Sequence, residues 1–324
     1  MAGRLSSIVE WARWLSKTAE NDILTIKEPW VFLKHSGKII LTDGHFFPFD
    51  QSSKKDIVNL ALFIIEHDVR FGNDEGMWRL YLANLPEITA GSQSENSFIV
   101  TPTGIKFMLA GFDRVVFSET FLYDIHYSEN LYGKTVVQAG GFVGDTALYY
   151  ASKGAKVYSF EPDPDSFEIA TKNIRLNPNL SDKIVMGNYA FGRNGIVEFS
   201  INEEVSGDSS IYLSRGKRIV RTKSVDIQTV LEEYNIDSPY LLDLDIKGSE
   251  FEIIKDKAIQ EFKKIRIEYS PCLLNDKSKN VGFLISNLEK HGFKIARIYK
   301  HNYGRYDLAT HGTIEAINEN LHIS

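Results

Sequence analysis

An apolar run that ends in a cluster of glycines constrains this chain most strongly. Residues 136–139 are apolar apart from Gln138, residues 140–144 contain three glycines, and a second apolar run ends at Glu161. This order predicts a strand, a tight turn, a helix, a second strand and an acid. Glycines let the backbone turn sharply and approach a ligand closely. The first N–H groups of the helix favour an anionic group, and the acid can accept both hydroxyls of a ribose. The stretch therefore predicts a site for an adenosine-containing ligand.

The glycine spacing fits two kinds of adenosine site. Ala139-x-Gly141-x-x-Gly144 is a degenerate dinucleotide fingerprint, with Glu161 at a suitable distance. Gly140-x-x-x-Gly144-Asp145 is the loop of an S-adenosylmethionine site. A nicotinamide site prefers glycine where Ala139 stands. The glycine spacing alone leaves both interpretations open.

A second feature follows a later strand, in the segment Asp243-Leu-Asp-Ile-Lys-Gly-Ser-Glu250. Asp245 is predicted to lie at the carboxyl tip of this strand, where open parallel sheets bind ligands. Gly248 permits a tight turn, and Lys247 and Glu250 then begin the next helix. The structural alternative is that Asp245 caps that helix while Lys247 and Glu250 form a solvated pair. We favour a functional role for Asp245, and for Lys247 both interpretations stay open.

The order of elements predicts an α/β fold. From about residue 96, strands alternate with helices, which is typical of a mostly parallel sheet covered by helices on both faces, and the last two strands are expected to form an antiparallel edge. Residues 1–95 are expected to form a mixed, mainly helical appendage. Within it we predict a hairpin over residues 30–41, a helix after Ser53 and another helix over residues 77–85.

Composition narrows the function classes. The chain has 324 residues, 43% of them hydrophobic, and a formal net charge of −6. This acidic balance argues against a nucleic-acid partner. The longest apolar run, residues 60–65, is far shorter than the roughly 20 residues that span a bilayer. A lone cysteine, Cys272, excludes an intrachain disulfide, so we expect a cytoplasmic protein.

Several motifs together resemble the FkbM-type family of class I S-adenosylmethionine-dependent methyltransferases. The resemblance runs from about Phe98 to the end of the chain, and the Asp-x-Lys-Gly-Ser-Glu segment is its most specific part. The motifs are Gly-Ile-Lys-Phe (104–107), Thr-Phe-Leu-Tyr-Asp-Ile-His (120–126), Gly-Asp-Thr (144–146), Phe-Glu-Pro (160–162), Leu-Leu-Asp-Leu-Asp-Ile-Lys-Gly-Ser-Glu (241–250) and Ile-Glu-Tyr (267–269). The resemblance implies a class I, Rossmann-like sheet and S-adenosyl-L-methionine as the cofactor.

The resemblance also implies which residues hold the cofactor. The methionine portion is assigned to the glycine loop and Asp145, the ribose to Glu161, and the adenine to the neighbourhood of Asp163 and residues 188–190. The expected set is Gln138, Gly140, Gly141, Gly144, Asp145, Thr146, Glu161, Pro162, Asp163, Asn188, Tyr189 and Ala190. The family usually has an acid where Gln138 stands, contacting the amino group of the cofactor. A charged hydrogen bond contributes about 1.5–3 kcal/mol, so we expect cofactor binding to be weaker by roughly tenfold or more.

The expected reaction is methyl transfer, at oxygen. The acceptors implied by the resemblance are hydroxyl groups of sugars or polyketides, so a small-molecule or glycan acceptor is expected. Methyl transfer requires alignment and removal of a proton. The candidate catalytic residues are Asp245, Lys247, Glu250 and Glu268. One of the three acids, with Asp245 as the first choice, is expected to orient or deprotonate the acceptor. The alternative is that Lys247 stabilises a developing alkoxide. No metal ligand set is expected.

Two rival functions stay open from the sequence. The first is an NAD-linked oxidoreductase, which the degenerate fingerprint allows. The second is a non-catalytic binding protein on a decayed methyltransferase fold, for which Gln138 is the only support. The appendage, residues 1–95, is expected either to cover the acceptor site or to mediate a homodimer.

Overall fold

The structure is a computed structural model. It describes residues 34–40, 46–51, 54–66, 81–84, 97–101, 103–121, 124–126, 130–201, 218–271, 274, 276–300, 308–309 and 311–321. The chain separates into two compact units, Met1–Arg114 and Val115–Ser324. The boundary predicted from the sequence lies between residues 95 and 96. In the structure, residues 96–114 group with the N-terminal unit.

The N-terminal unit contains strands and one helix among its described residues. They are β1 (Gly37–Ile40), β2 (Phe46–Phe49), α1 (Lys54–Glu66), β3 (Tyr81–Asn84), β4 (Ser97–Val100) and β5 (Lys106–Met108). β1 pairs antiparallel with β2, and β4 pairs antiparallel with both β3 and β5. The helix after Ser53 is confirmed, and its apolar residues Ile57, Leu60 and Ala61 are buried.

Two expectations for this unit differ from the structure. The predicted helix over residues 77–85 is wrong, because Tyr81–Asn84 form β3. A stretch this short satisfies both helical and strand periodicity, and pairing with β4 decides between them. β1 matches the second half of the predicted hairpin, but its partner is β2, and residues 30–33 lie outside the described residues. The described residues within 1–95 form three strands and one helix, and the mainly helical character of this segment stays a prediction.

The C-terminal unit carries the larger sheet. Its strands are β6 (Thr135–Ala139), β7 (Lys156–Phe160), β8 (Ile184–Gly187), β9 (Ala190–Phe191), β10 (Gly195–Ile201), β11 (Arg218–Val225), β12 (Pro239–Leu244), β13 (Lys264–Tyr269), β14 (Phe293–Tyr299) and β15 (Gly312–Asn318). The helices are α2 (Arg114–Phe121), α3 (Asp145–Ser152), α4 (Pro164–Arg175), α5 (Pro178–Ser181), α6 (Ile227–Glu233), α7 (Glu250–Ile253) and α8 (Val281–Lys290). Across the described residues, no helix is long and apolar enough to cross a membrane.

Seven strands form one mostly parallel sheet in the order β14-β15-β13-β12-β6-β7-β8. β6 pairs parallel with both β12 and β7, and β15 runs antiparallel to β13 and β14. Numbered along the chain, the order is 3-2-1-4-5-7-6, which is the class I methyltransferase arrangement. The predicted fold class and the antiparallel edge are therefore confirmed. A separate small sheet has the order β10-β11-β9, and β11 was not expected from the sequence.

The order of strands changes direction between β6 and β12, which pair with one another although β7 follows β6 in the chain. In open α/β sheets a crevice forms at such a point, outside the carboxyl ends of the strands. The loop after β6 contains the glycines, and the residue after β12 is Asp245. The two sequence features that predicted the site are therefore neighbours in the fold.

Gly140 allows these two strand ends to approach. Its φ angle is +89°, and a Cβ atom at this position would lie 2.0 Å from the carbonyl oxygen of Asp245. The backbone N–H of Asp245 also donates a hydrogen bond of 3.0 Å to the carbonyl of Ala139. Only glycine meets both the left-handed conformation and the close approach.

A buried ion pair lies beneath the site, in the middle of the sheet. Nη1 of Arg266 on β13 is 2.8 Å from Oδ1 of Asp243 on β12, and both side chains are almost fully buried. The hydroxyl of Tyr150 on α3 donates to Oδ2 of Asp243 at 2.9 Å. Removing one partner of such a pair leaves an uncompensated charge in the core.

We expect Gly140→Ala to destabilise the protein more than Gly133→Ala. Both glycines have positive φ angles, +89° and +71°, but a Cβ on Gly133 meets nothing within 4 Å. Gly133→Ala should therefore lose only the cost of the left-handed conformation, about 1–2 kcal/mol. Gly140→Ala must in addition displace the backbone of Asp245. Urea unfolding of the three proteins measures the difference, and equal losses would contradict the close approach.

We expect Arg266→Met to lower the free energy of unfolding by about 3–5 kcal/mol, because Asp243 loses its buried counter-charge. The double variant Asp243→Asn with Arg266→Met should recover part of this loss. Glu168→Gln is the control, since it removes an exposed ion pair with Lys172 and should cost under about 0.5 kcal/mol. Denaturant unfolding of all four proteins tests this, and similar losses for the single variants would contradict it.

Candidate active site

The predicted site residues gather at one edge of the large sheet. The glycine loop, residues 140–144, follows β6, Glu161 follows β7, residues 188–190 follow β8, and Asp245 follows β12. Glu268 lies near the end of β13. Because these strands are parallel, their carboxyl ends meet at the same edge, which is the usual ligand edge of this fold.

The glycine loop is fastened to the next strand by its backbone. The N–H groups of Gly140 and Gly141 both donate to the carbonyl of Phe160, at 3.0 and 2.9 Å. Gly144, with a φ angle of +81°, then redirects the chain into α3. The loop has a fixed shape because these bonds and the two left-handed glycines determine it together.

Asp145, the first residue of α3, is held in a buried polar cluster. Its Oδ2 accepts hydrogen bonds from the hydroxyls of Thr120 and Thr146, at 3.0 and 3.1 Å. Nε2 of His126 lies 3.4 Å from each of these hydroxyls. Burial raises the pKa of Asp145 to about 7, against the lowering effect of the hydrogen bonds. Both Thr120 and His126 belong to the motif over residues 120–126.

Glu161 joins the glycine loop to the start of α4. Its two carboxylate oxygens accept the N–H groups of Phe142 and Asp163, each at 2.8 Å. The side-chain amide of Asn188 donates to the backbone carbonyl of Glu161 at 2.8 Å. Burial raises the pKa of Glu161 to about 7. Each carboxylate oxygen has a further lone pair, so this group retains the capacity to accept two hydroxyl groups.

Asp163 has a structural task as well as its predicted one. It is the N-cap of α4, with Oδ1 accepting the N–H of Asp165 at 3.3 Å and Oδ2 accepting the hydroxyl of Ser166 at 2.7 Å. Tyr189, after β8, packs its ring against that of Phe160, with ring centroids 6.1 Å apart.

Asp245, Lys247 and Glu268 form a charged cluster across the ends of β12 and β13. Nζ of Lys247 lies 2.5 Å from Oε1 of Glu268 and 3.5 Å from Oδ1 of Asp245. The side chain of Asp245 is 33% exposed, whereas those of Lys247 and Glu268 are 13% and 9% exposed. Lys247 therefore belongs to the site and does not form the solvated pair with Glu250 that the structural alternative proposed.

The cluster sets the protonation of its members. Burial and the negative charge of Glu268 raise the pKa of Asp245 to about 6, against the lowering effect of Lys247. Burial alone would lower the pKa of Lys247, but the carboxylates of Glu268 and Asp245 raise it above its ordinary value. Lys247 therefore stays cationic, and Asp245 exchanges its proton near neutral pH.

Glu250 lies behind the turn between β12 and α7. It is 1% exposed, and its Oε2 accepts the N–H of Gly248 at 2.5 Å. Its Oε1 is buried and has no hydrogen-bond partner among the described residues. Burial raises the pKa of Glu250 to about 8. The carboxyl group is therefore largely protonated at neutral pH, and it supports a turn in which Gly248 has a φ angle of +100°.

The structure adds a pair that sequence reasoning missed. Ser270 follows β13, and its hydroxyl lies 2.6 Å from Nδ1 of His311, which precedes β15. Ser270 lies two residues beyond Glu268 in the chain, directly after the last residue of β13. No local pattern could have found this contact, since 41 residues separate its two members.

We expect the free energy of unfolding to fall between pH 7 and pH 9, and to fall less in Glu250→Gln. The pKa of Glu250 is raised from 4.5 to about 8 in the folded state, so folding favours the protonated form. The resulting stability is present at low pH and is lost as the pH rises through about 8. The difference between wild type and variant should reach about 1 kcal/mol over this interval.

Urea unfolding at the two pH values measures this effect. Glu168→Gln, which changes an exposed glutamate of α4, serves as the control and should follow the wild type. An equal loss in wild type and Glu250→Gln would show that Glu250 does not hold its proton in the folded protein.

Comparison with known protein families gives one match. Residues 138–295 match the Methyltransferase FkbM domain. The match begins at Gln138 in β6 and ends at Ile295 in β14, so it contains the glycine loop and residues 243–250. No match was found among curated proteins.

Solved structures with a related fold include several methyltransferases. TrmK of M. capricolum, in complex with S-adenosylhomocysteine, has 15% sequence identity and a TM-score of 0.39, with 61% of this chain and 67% of that chain covered. Magnesium protoporphyrin IX methyltransferase from Synechocystis PCC 6803, with bound S-adenosylmethionine, has 13% identity and a TM-score of 0.35, with 63% and 78% covered. TM-scores this low do not transfer any site residue to this chain.

The family match and the order of the seven strands agree with one another. Both place the glycine loop and the Asp245 segment within one domain, and both agree with the family resemblance of the sequence motifs. Residues 138–295 therefore match an FkbM methyltransferase domain, and the chain is an S-adenosylmethionine-dependent methyltransferase with a mostly parallel, seven-stranded sheet.

Proposed function

We propose that the enzyme transfers a methyl group to a hydroxyl oxygen of a sugar, a glycan or a secondary metabolite. The observation that carries this proposal is the position of the Asp245–Lys247–Glu268 cluster directly beside the glycine loop. The carbonyl of Asp245 lies directly against Gly140, so an acid with a pKa near 6 adjoins the loop. A hydroxyl acceptor needs such a base, because its proton must leave as the new bond forms.

The residues at the sheet edge fit S-adenosylmethionine. Gly140 and Gly141 carry no side chains, so the loop packs directly against Asp245 and Ser159, where Cβ atoms would clash. Glu161 can accept two hydroxyl groups, which suits a ribose. We assign the methionine portion to Gly140, Gly141, Gly144, Asp145 and Thr146, the ribose to Glu161 and Pro162, and the adenine to Asp163, Asn188, Tyr189 and Ala190. When bound, the cofactor supplies an electrophilic methyl group and a neutral thioether leaving group.

Within this site, Asp245 is assigned as the proton acceptor. Its carboxylate is the most exposed of the three cluster members, so it can reach an acceptor hydroxyl. The hydroxyl proton passes to Oδ of Asp245 as the acceptor oxygen attacks. Lys247, fixed by Glu268, places a permanent positive charge where negative charge develops on that oxygen. Glu250 is buried and supports the turn that holds Lys247. We therefore assign it a supporting role and no contact with the acceptor.

The acceptor class rests on the family resemblance and on the polar edge of the site. Lys247, Glu268 and Ser270 offer donors and acceptors suited to a hydroxyl-rich molecule. A screen with radiolabelled S-adenosylmethionine against sugars, oligosaccharides and polyketide alcohols would identify the acceptor. Transfer only to amines or carboxylates would contradict the proposal.

We expect Asp245→Asn to lower kcat by about 10²–10⁴-fold, because general-base catalysis contributes this much. Affinity for S-adenosylhomocysteine should change little, since the variant keeps the size of the side chain. In the wild type, kcat/KM should rise with pH through about 6, as Asp245 loses its proton, and this limb should disappear in the variant. Initial rates and calorimetric binding between pH 5 and pH 8 measure both effects.

Asp182→Asn is the matched control for this experiment. Asp182 is an exposed acid at the end of α5, so the same chemical change there should leave the rate unaltered. Full activity in Asp245→Asn would remove Asp245 from the mechanism. Thermal stabilisation of the wild type by NAD but not by S-adenosylhomocysteine would contradict the assignment of the cofactor site.

A further inference from the structure

The side chain of Gln138 is engaged within the protein and does not face the ligand edge as the family resemblance implied. It is 1% exposed, and it lies behind the glycine loop. Its Nε2 donates to the carbonyl of Gly140 at 3.2 Å, and its Oε1 accepts the hydroxyl of Ser159 at 2.8 Å. One end of the amide thus holds the loop, and the other end holds β7.

Ser159 completes this support. A Cβ atom on Gly141 would lie 2.6 Å from Oγ of Ser159, so the loop packs directly on this hydroxyl. The hydroxyl therefore contacts the loop and fixes the amide that binds the loop. Gln138 and Ser159 together fix the position of Gly140 and Gly141 relative to the ends of β6 and β7.

An acid at position 138 would conflict with two neighbours. The carbonyl of Gly140 needs a donor, which an ionised carboxylate cannot provide. Asp243 is the register partner of Gln138 on the adjacent strand, where strands lie about 4.8 Å apart. Residues paired in this way point to the same face, so two buried carboxylates would face one another. Asp243 is already committed to Arg266 and Tyr150.

We propose that Gln138 is a positioning residue, which holds the glycine loop from behind through its amide, and that an acid here weakens cofactor binding. This inference rests on the proposed cofactor site at the loop. It reverses the expectation from the family pattern, in which an acid at this position strengthens binding through the amino group of the cofactor. The two hypotheses predict opposite changes in cofactor affinity for Gln138→Glu.

The test compares Gln138→Glu with the wild type by calorimetric titration of S-adenosylhomocysteine between pH 6 and pH 9. We expect the variant to bind more weakly, by about tenfold at pH 9. The ratio of the two dissociation constants should rise with pH, because the introduced carboxyl group can donate to Gly140 while it is protonated and cannot once it is ionised. Titrations that both proteins share, such as those of Asp145 and Glu161, cancel in this ratio. Tighter binding by the variant, or a ratio that does not rise with pH, would overturn the proposal.

A second variant keeps the test decisive if Gln138→Glu folds poorly. Ser159→Ala removes only the donor to Oε1 of Gln138, and it introduces no negative charge beside Asp243. We expect it to weaken binding by about two- to tenfold, as for one hydrogen bond, with no dependence on pH. Ser152→Ala is its control, since that hydroxyl donates to the carbonyl of Tyr149 within α3 and is not part of the loop. Equal affinities for Ser159→Ala and Ser152→Ala would overturn the proposal.

Amide hydrogen exchange of the ligand-free proteins separates this inference from the proposed function. The N–H groups of Gly140, Gly141 and Phe142 are all hydrogen-bonded, so their exchange reports the order of the loop. Exchange across residues 140–142 should quicken in Gln138→Glu and Ser159→Ala but not in Ser152→Ala. Wild type that binds no S-adenosylhomocysteine would end the proposed function, and the exchange rates would still decide the role of Gln138. Unchanged exchange in both loop variants would overturn it.

Discussion

The close contact between Gly140 and the carbonyl of Asp245 is the constraint on which the rest of the site depends. It joins the end of β6 to the end of β12, where the order of strands changes direction. A side chain on Gly140 would separate these two ends and open the crevice between them. Because the contact is made by backbone atoms, the backbone of Asp245 stays beside the loop whatever its side-chain rotamer. The binding loop and the candidate proton acceptor are thus parts of one rigid junction.

Burial gives the site its chemistry at a cost in stability. Asp145, Glu161, Asp245 and Glu250 all have a pKa raised by desolvation, so the folded protein holds protons that the unfolded chain would release near neutral pH. The same desolvation brings Asp245 close to the pKa of an effective general base. The positive charge of Lys247, which lies between Asp245 and Glu268, limits the rise in the pKa of Asp245. The buried pair of Asp243 and Arg266 beneath the site is compensated, and it fixes the strands that carry the cluster.

The sequence predicted the methyltransferase sheet well and the N-terminal unit less well. In the C-terminal unit, glycines mark the limits of several strands, such as Gly140 after β6 and Gly292 before β14. Those strands were confirmed. β11 escaped notice because its alternating charged residues resemble a solvated segment. Residues 81–84 form a strand because they pair with β4, and a window of this length does not specify that pairing. The partners of Lys247 and Gln138 were also missed, since both lie on neighbouring strands of the sheet.

By itself, the sequence determined which chemical groups reach the ligand edge. Apolar strands that alternate with helices build a parallel sheet, and the residues after each strand must then meet at one edge, whatever the details of packing. Glycines at positions 140 and 144 and acids at positions 161 and 245 follow from that rule. Only the tertiary structure decided how those groups are paired. Lys247 bonds to Glu268, Ser270 to His311 and Gln138 to Ser159, because strand order brings together residues that lie 21 to 41 positions apart in the chain. Local sequence does not specify the order of the strands. The partner of Gln138 on the neighbouring strand was therefore evident only from the fold.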